Sequence, residues 1–391
     1  MNQDKNNTRL GVHINRSVAG EAYKSYVPSP LPPSPDLDMD RLYKSLDQAM
    51  KALGELDGLA KLLPDVGLFL YMYVRKEALV SSQIEGTQSS LSDLLLYESN
   101  ESSAVAIDDV EEVSNYIAAL NHGVKRMEKG FPISVRLICE MHQILLRGGR
   151  GSNKAPGKFR RSQNWIGGLR PSKALFVPPP PEMVDDLMSD LEKFAHDEKM
   201  KMPALVKAAL LHVQFETIHP FLDGNGRLGR LLITLLLCAE GILKEPILYL
   251  SLHFKKHRQL YYDLLQDVRF KGDWERWCEF FLDGVTETAT QAAEDALKII
   301  KLLDDDRERI SQIGKAAPTA LKVHGYLVKK PYLSLKKTAK ELDVSVPTIT
   351  NTVNKLMEIG VLKELTGQSR NRIFSYTNYM EILAAGTEPM K

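Results

Sequence analysis

One stretch of twelve residues between two apolar segments decides how this sequence is interpreted. It reads His219-Pro220-Phe221-Leu222-Asp223-Gly224-Asn225-Gly226-Arg227-Leu228-Gly229-Arg230. Glycines on both sides of Asn225 let the backbone turn sharply, so that several N–H groups can converge. The turn lies at the predicted N-terminus of a helix, where the helix dipole also favours an anion. The stretch therefore predicts an anion-binding turn between two helices.

The charged residues of this stretch support the same interpretation. Arg227 and Arg230 would oppose the helix dipole by roughly 0.3–1 kcal/mol each, and a bound polyphosphate would reverse that sign. Asp223 is a hard oxygen ligand, and Mg²⁺ is usually held by one or two carboxylates together with phosphate oxygens of the substrate. His219, with an ordinary pKa of about 6.5, could take the proton from an attacking hydroxyl.

At every defined position the stretch resembles the motif of the Fic family, His-x-Phe-x-Asp/Glu-Gly-Asn-Gly-Arg-x-x-Arg. The resemblance implies that His219 deprotonates a target hydroxyl, which attacks the α-phosphate of ATP, and that Asp223 holds Mg²⁺. The implied phosphate site consists of Gly224, Asn225, Gly226, Arg227 and Arg230. The related Doc kinases carry Ala and Lys near this turn, so the glycines here favour adenylylation. We therefore expect an enzyme that transfers AMP from ATP to a Ser, Thr or Tyr hydroxyl of a protein.

Two other regions fit the family resemblance. Residues 158–182 contain two short β-type runs around a pair of glycines, which predicts a β-hairpin on a helical body. In the family such a hairpin is a flap that pairs with the target polypeptide by strand addition. The resemblance places Ile166 and Gly167 over the nucleotide, and Tyr261 and Arg269 against the adenosine. For the last two residues, ordinary helix packing is the alternative.

A second motif lies upstream, at Ser81-Ser82-Gln83-Ile84-Glu85-Gly86 near a predicted helix end. A glutamate there faces the negative end of the helix dipole, so it is either solvated or paired with a cation. Inhibitory helices of the Fic family carry Ser/Thr-x-x-x-Glu-Gly/Asn, which Ser81, Glu85 and Gly86 match. The resemblance implies that Glu85 pairs with Arg230 and leaves the α-phosphate of ATP misaligned. A misplacement of about 1 Å can cost about 10²-fold in rate.

The chain divides into four predicted regions. Residues 1–38, with a proline-rich stretch, should be an extended N-terminal segment. Residues 39–107 should form a helical region with the inhibitory motif, and residues 108–303 the Fic catalytic core. Residues 312–381 have the element order of a winged helix-turn-helix domain. The predicted fold is therefore mainly α, a Fic-type helical core with a β-hairpin flap and a C-terminal winged helix.

The C-terminal region has an excess of basic residues. Residues 312–381 hold 11 Lys and Arg residues against 5 Asp and Glu residues. On the predicted recognition helix, Ile349, Val353 and Leu356 should face the core. The polar residues expected to face a DNA groove or phosphates are Thr348, Asn351, Asn354, Lys355, Lys329, Lys330, Lys336, Lys337, Arg370 and Arg372. DNA binding is one interpretation, and protein contact or dimerisation is the other, because this fold is often reused.

Composition bounds the remaining possibilities. The 391 residues are 43% hydrophobic and 26% charged, and the net charge of +1 gives no overall attraction to nucleic acid or membrane. Cys139, Cys238 and Cys278 form no disulfide or CxxC pattern, which is typical of a reducing cytoplasm. No signal peptide is evident, and the longest apolar run, Leu231–Ala239, is too short for a membrane span. A homodimer is implied only by the family resemblance.

Two other functions stay open at this point. Glu85 could position water for the reverse reaction, removal of AMP from a protein. From a different class, the chain could be a DNA-binding regulator whose Fic core senses nucleotide. Intact His219 and Asp223 argue against a degenerate core.

Overall fold

The computed structural model describes residues 9–18, 20–60, 66–98, 107–367 and 372–389. Within these ranges the chain is mainly helical, as predicted, with two small antiparallel sheets. The first half contains β1 (Val12–Val18), β2 (Glu21–Val27), α1 (Met39–Ala60), α2 (Val66–Ile84), α3 (Leu91–Glu98), α4 (Ile107–Glu128), α5 (Val135–Leu145) and α6 (Val184–Ala195). The second half continues with α7 (Ala204–Ile218), α8 (Asn225–Ala239), α9 (Leu250–Lys256), α10 (Arg258–Lys271) and α11 (Trp274–Ser311). The C-terminal unit contains α12 (Ala317–Lys329), β3 (Tyr332–Ser334), α13 (Leu335–Glu341), α14 (Val346–Glu358), β4 (Lys363–Glu364), β5 (Ile373–Ser375) and α15 (Thr377–Ala384).

The N-terminal segment differs in part from the prediction. Its backbone is extended, but β1 and β2 pair as an antiparallel hairpin, in the register Val12 with Val27. The hairpin was not predicted, because its stability depends on distant partners. Tyr26 donates its backbone N–H to the carbonyl oxygen of Val177 at 2.9 Å, which fixes the hairpin against residues 158–182. Residues 1–8 of this segment lie outside the described residues.

Helix α1 is longer than the sequence predicts. A helix end was expected at Gly54 or Gly58, yet α1 continues through both glycines to Ala60. Glycine inside a helix costs about 1 kcal/mol relative to alanine. The apolar face of α1, with Leu42 and Leu56 fully buried, packs along α11 and outweighs that cost. The expected start of α2 at Pro64 lies outside the described residues, as does most of the predicted loop 98–107.

The centre of the molecule is the pair α7 and α8. Residues Leu205–Ile218 of α7 are all buried, and so is most of α8. Apart from a few polar and charged residues such as Glu216 and Arg230, both helices are apolar, which favours their burial in the core. They pack against each other, so the residues that connect them, 219–224, are held at both ends. The rigid connection is where the anion-binding turn was predicted.

The sequence of residues 312–381 predicts three helices followed by two short strands, and the C-terminal unit contains these elements together with β3 and α15. Its three strands pair in the order β3-β5-β4. Ile349, Val353 and Leu356 are buried, whereas Thr348 and Asn351 are exposed, as expected for α14. The wing residue Arg370 lies outside the described residues.

Helix α11 joins the C-terminal unit to the rest of the chain. It continues past residue 303, where the core was expected to end, to Ser311. Its buried Asp306 accepts a hydrogen bond from the hydroxyl of Tyr376 in the C-terminal unit. Among the described residues, the helices are either too short or too polar to cross a bilayer.

Candidate active site

The predicted base lies at the end of α7 in an unusual backbone conformation. His219 is the C-cap of α7, with φ +49° and ψ +60°, in the left-handed region that non-glycine residues rarely adopt. Its carbonyl oxygen accepts a hydrogen bond from Arg160 Nε at 2.9 Å. Asn164 Nδ2 donates to the carbonyl oxygen of Phe221 at 3.0 Å. These bonds hold the strained turn that places the imidazole of His219 in a cavity.

Arg160 is a residue that sequence reasoning missed. It is 2% exposed, and its guanidinium also donates to the carbonyl oxygen of Pro179 at 2.6 Å. Burial lowers the pKa of Arg160 to about 10. The side chain therefore links the end of α7 to the segment that precedes α6. No local signal marks it, because its partners are backbone carbonyls far away in the sequence.

The glycine turn begins α8 as predicted. Gly224 has φ +79°, a conformation that glycine adopts without strain, and α8 starts at the next residue. The side chain of Asn225 closes the turn: Oδ1 accepts from the N–H of Phe221, and Nδ2 donates to its carbonyl oxygen, both at 2.9 Å. Asp223 Oδ1 accepts the N–H of Gly224 at 2.6 Å. Asn225 thus shapes the turn with its side chain and leaves the first N–H groups of α8 for an anion.

The two arginines of the motif have different surroundings. Arg227 is buried, and its guanidinium forms ion pairs with Glu112 at 2.7 Å and with Asp223 at 3.4 Å. Arg230 is buried on the next turn and faces α2. Glu112 therefore holds Arg227, and Arg227 in turn contacts the predicted metal ligand Asp223. The sequence alone did not indicate Glu112. Burial raises the pKa of Glu112, and the charge of Arg227 opposes that rise.

Glu85 forms the ion pair with Arg230 that the sequence predicted. Oε1 of Glu85 lies 2.8 Å from Nη2 of Arg230, and Arg230 also donates to Ser81 Oγ at 2.8 Å and to the Ser81 carbonyl oxygen at 2.9 Å. Burial would raise the pKa of Glu85, but the charge and hydrogen bond of Arg230 outweigh burial and lower it. A Cβ atom on Gly226 would collide with Oε1 of Glu85. The carboxylate therefore rests on the first turn of α8.

Cationic side chains hold the end of α2 beside this carboxylate. Arg258 donates to the carbonyl oxygen of Ile84 at 3.3 Å, and Arg150 donates to that of Glu85 at 3.1 Å. Cations at a helix C-terminus satisfy free carbonyl groups and interact favourably with the dipole. The backbone around Glu85 is thus fixed independently of its carboxylate.

The C-terminal tail also contacts the end of α2. Gln83 is fully buried, and its Nε2 donates to the carbonyl oxygens of Ser89 at 2.9 Å and Thr387 at 2.8 Å. Its Oε1 accepts from Lys255 Nζ at 2.7 Å. Gly386, with φ +80°, packs so closely on Leu252 that a Cβ atom would lie 2.9 Å from it. Residues from three distant segments thus meet two positions before Glu85.

Most of the predicted site residues line one cavity of about 740 Å³, a volume typical of small-molecule sites. The predicted residues in its wall are Glu85, Ile166, Gly167, His219, Gly226, Arg230, Tyr261 and Arg269. Trp165, Glu216, Arg258 and Tyr262 were not predicted and also line it. Gly224, Asn225, Asp223 and Arg227 lie behind the wall, so the cavity does not include them.

Tyr261 and Arg269 line the cavity, but their polar groups are bonded within the protein. The Tyr261 hydroxyl lies 2.9 Å from Nε2 of His212, and Arg269 donates from Nε to Thr217 Oγ1 at 3.1 Å. The Arg269 guanidinium also stacks on Phe176, 4.0 Å from the ring centroid. Both side chains therefore form a rigid wall, as the helix-packing alternative expected.

The predicted flap is present in a minimal form. One antiparallel bridge joins Ile166 and Phe176: Ile166 N–H donates to the Phe176 carbonyl oxygen at 2.8 Å, and Phe176 N–H donates back at 3.1 Å. A 3₁₀ turn, Pro171–Lys173, shortens the pairing beyond this bridge. Gly167 has φ +68° and lies against Leu175, where a side chain would collide. The flap leaves Leu169 and Leu175 exposed beside the cavity.

Burial and neighbouring charge set the state of the base. Burial, followed by the charges of Arg269 and Arg160, lowers the pKa of His219 to about 4. The imidazole is therefore neutral at physiological pH and can accept a proton. Near it, burial raises the pKa of Glu216 to about 7, although the charge of Arg230 opposes the rise.

The residues around Asp223 fit a magnesium ion of the substrate-bridging kind. One carboxylate lies beside a helix N-terminus, and Mg²⁺ commonly takes one or two carboxylates and completes its shell with phosphate and water oxygens. Oδ1 of Asp223 is engaged by Gly224 and Arg227, whereas Oδ2 points toward Gly151. A different group of potential metal ligands, the buried His253, the half-buried His257 and the exposed Glu287, lies where α9, α10 and α11 meet. There Glu287 already accepts hydrogen bonds from His253 and Lys256.

Two parts of the chain match known family models, and the chain is similar to curated proteins. Residues 43–125 match the family model described as Fic/DOC family N-terminal, and residues 132–237 match the Fic/DOC family model. The protein adenylyltransferase Fic of Aedes aegypti is 34% identical over 185 residues, which cover 47% of this chain and 34% of that protein. The protein adenylyltransferase Fic of Culex quinquefasciatus is 31% identical over 261 residues, which cover 64% and 47%. This chain thus spans less than half the length of these curated relatives.

The fold has a counterpart among solved structures. The crystal structure of a Fic family protein from Desulfovibrio desulfuricans G20 superposes with a TM-score of 0.55 at 21% sequence identity. The match covers 85% of this chain and 95% of that chain, so the likeness of fold extends well beyond residues 132–237.

Proposed function

We propose that this chain, which carries the Fic/DOC N-terminal region and the Fic/DOC domain, is a protein adenylyltransferase that uses ATP. One observation carries the proposal. A neutral, half-buried histidine, Gly226 in the first turn of α8 and the buried guanidinium of Arg230 face one cavity of nucleotide size. Each group has a separate task in AMP transfer, and a purely structural arrangement would not need them together.

His219 would act as the general base. Its imidazole takes the proton from a Ser, Thr or Tyr hydroxyl of the target protein as the hydroxyl oxygen attacks the α-phosphorus of ATP. A bond forms between that oxygen and the α-phosphorus, and the bond from the α-phosphorus to the bridging oxygen of pyrophosphate breaks. The first N–H groups of α8, at Asn225 and Gly226, would bind the phosphate oxygens, with Arg230 beside them.

Asp223 would hold Mg²⁺, which when bound neutralises part of the phosphate charge. Arg227 lies between Asp223 and Glu112, so its first task would be to fix the Asp223 carboxylate. A direct phosphate contact for Arg227, as the family resemblance implies, would require its guanidinium to exchange one of these carboxylates for a phosphate.

Glu85 would keep the enzyme inactive. Its carboxylate is itself an anion that rests on Gly226 and pairs with Arg230, the two groups proposed to receive the phosphates of ATP. While it remains there, the polyphosphate chain is displaced and the α-phosphorus is out of line with the target hydroxyl. Ser81 supports this state, because its hydroxyl and carbonyl oxygens orient the same guanidinium.

The flap would select and orient the target. Ile166 and Gly167 lie in the cavity wall, where they would cover the nucleotide, and the pairing of the flap ends after a single bridge. An extended target segment could add to this short edge by backbone hydrogen bonds, as in other cases of strand addition. The exposed apolar side chains of Leu169 and Leu175 would then contact the target.

The C-terminal unit would be a winged helix. Helices α12, α13 and α14, the sheet order and the exposed Thr348 and Asn351 on α14 support that assignment. Two of its cations are already paired, Lys330 with Glu341 and Arg372 with Glu364, which leaves fewer charges for DNA phosphates. We therefore favour a protein contact for this unit, with DNA binding as the alternative. A homodimer and a cytoplasmic location are further parts of the proposal; the free thiols support the latter.

Removal of AMP from a modified protein is the second candidate function. The observation that favours it is the position of Glu85, whose carboxylate lies in the same cavity as His219 and could orient a water molecule. The same residue cannot at once pair with Arg230 and act on water, so the two roles belong to different states of the site.

Labelling with ATP carrying the isotope at the α-phosphate, with γ-labelled ATP in parallel, tests the proposal. Purified wild type, Glu85→Gly, and Glu85→Gly with His219→Ala are incubated with Mg²⁺ and cell lysate. We expect α-label on protein to rise with Glu85→Gly and to disappear with His219→Ala. Label from the γ-position alone would make the protein a kinase. Loss of pre-attached AMP from a target, without incorporation, would favour the second candidate.

A further inference from the structure

A second carboxylate lies next to the proposed base and has no role in the mechanism above. Glu216 occupies the last turn of α7 and is 6% exposed. Its Oε2 lies 3.9 Å from Nδ1 of His219. Its Oε1 has no hydrogen-bond partner among the residues that the structure describes. Because buried polar atoms are nearly always hydrogen-bonded, an exception in an active-site wall requires an explanation.

The fold makes room for this carboxylate. Gly229 of α8 lies opposite Glu216, and a Cβ atom there would be 2.5 Å from Oε1. Only glycine lets α8 approach so closely without moving the carboxylate. The charges of Arg230 and Arg269 favour the ionised form of Glu216. The site therefore accommodates a negative charge beside the base at the cost of leaving one oxygen without a partner.

We propose that Glu216 is a positioning residue for His219 in the transfer reaction, and the proposal rests on the adenylyltransferase function proposed above. Nδ1 of His219 faces Glu216, so Nε2 is the atom that takes the hydroxyl proton. The proton stays on the half-buried imidazole, whose positive charge is opposed by the charges of Arg269 and Arg160. At 3.9 Å the carboxylate of Glu216 makes no hydrogen bond to the ring, and it stabilises this cation as the nearby negative charge.

The effect depends on the protonation of Glu216. Burial raises the pKa of Glu216 to about 7, so a neutral carboxyl group predominates below that pH and stabilises the imidazolium poorly. The rate in the Glu85→Gly variant should therefore rise with pH as Glu216 ionises. This rise should lie at a lower pH than in wild type, because the charge of Glu85 is one cause of the raised pKa of Glu216. The charged and titratable groups that face Glu216 are His219 and His212 of α7, Arg230 of α8, Tyr261, Tyr262 and Arg269 of α10, and Glu85 after α2.

The test uses the full chain with Glu85→Gly as the parent, because that variant is expected to be active. Glu216→Gln keeps the size of the side chain and removes its charge. We expect kcat to fall at least about tenfold, since opposite charges about 4 Å apart interact strongly in a partly buried site. KM for ATP should change little, and the rise of rate with pH should disappear. Glu77→Gln is the matched control: Glu77 is equally buried but bonds Ser251 and Tyr116 outside the cavity wall, so it should keep the pH profile.

Gly229→Ala covers the case in which Glu216→Gln does not fold. It keeps the charge but displaces the carboxylate, so kcat should fall while a dependence on pH remains. An unchanged kcat and pH profile in either folded variant overturns the inference. If instead the Glu85→Gly parent incorporates no α-label, the proposed function itself has failed, and the two failures are distinguished.

Discussion

Replacing Glu85 with glycine tests directly whether the Glu85 carboxylate inhibits AMP transfer. The carboxylate makes one hydrogen bond to the guanidinium of Arg230, 2.8 Å between Oε1 and Nη2. Hydrogen bonds to charged groups contribute about 1.5–3 kcal/mol. Because the Glu85 side chain is 32% exposed, solvent screens the pair and the lower end applies. At about 1.4 kcal/mol per factor of ten, we expect AMP transfer to rise about tenfold, and further if removing the carboxylate also realigns the α-phosphate.

The assay measures the initial rate of α-label incorporation at saturating ATP. Glu85→Gln is the matched variant, because it keeps the bulk over Gly226 and removes only the charge, so its rate should lie between wild type and Glu85→Gly. Ser81→Ala removes one of the two bonds that Ser81 makes to Arg230 and keeps the carboxylate. It should raise the rate less than either change at Glu85. A Glu85→Gly protein that is folded and no faster than wild type would refute the reasoning.

The same substitution has a consequence for stability. Arg230 is 2% exposed, and without Glu85 it loses its closest negative partner. Leaving a buried charge without its partner destabilises a protein by up to about 3–5 kcal/mol. The thermal midpoint of Glu85→Gly should therefore fall, and ATP should restore more stability to it than to wild type. An equal ATP-induced shift in both proteins would show that Arg230 does not receive the phosphates.

Three other outcomes follow from the geometry. Gly226→Ala places a methyl group where the carboxylate of Glu85 rests and where a phosphate is proposed to bind. When Gly226→Ala is added to Glu85→Gly, α-label incorporation should be at least about tenfold below that of Glu85→Gly alone. Gly386→Ala should displace the C-terminal tail from Leu252 and weaken the contacts that fix the end of α2, so AMP transfer should rise a few-fold. Gly360→Ala is the control, because Gly360 has a similar positive φ but open space around it, and the rate should not change. Burial lowers the pKa of His142 to about 4, so the unfolded chain binds more protons than the folded chain between about pH 6.5 and that value. The thermal midpoint should therefore fall as pH decreases through this range, and His142→Gln should flatten the fall.

The site could be predicted where its parts are contiguous in sequence. His219, the glycine turn and Arg230 lie within one short stretch whose order carries the chemistry. Arg160 and Glu112 could not be found in this way, because each acts on the stretch from another segment through a contact that only the fold creates. Glu216 is close in sequence, yet a glutamate in a helical pattern carries no signal that it is buried.

The fold was predictable to a similar degree. Element types followed from apolar periodicity and from turn residues, as in α7, α8 and the C-terminal unit. The continuation of α1 through Gly54 and the pairing of β1 with β2 depend on surfaces supplied by α11 and by the flap segment. Local propensity was outweighed there by burial at a distance.

The close packing of Glu216 on Gly229 has a consequence for the descent of this protein. A side chain at position 229 displaces the carboxylate at position 216, and losing that carboxylate removes the reason to keep a glycine opposite it. Neither substitution is neutral before the other, so lineages that diverge from this sequence should exchange both residues as a pair. Positions 216 and 229 are therefore expected to coevolve, although they lie thirteen residues apart in the chain.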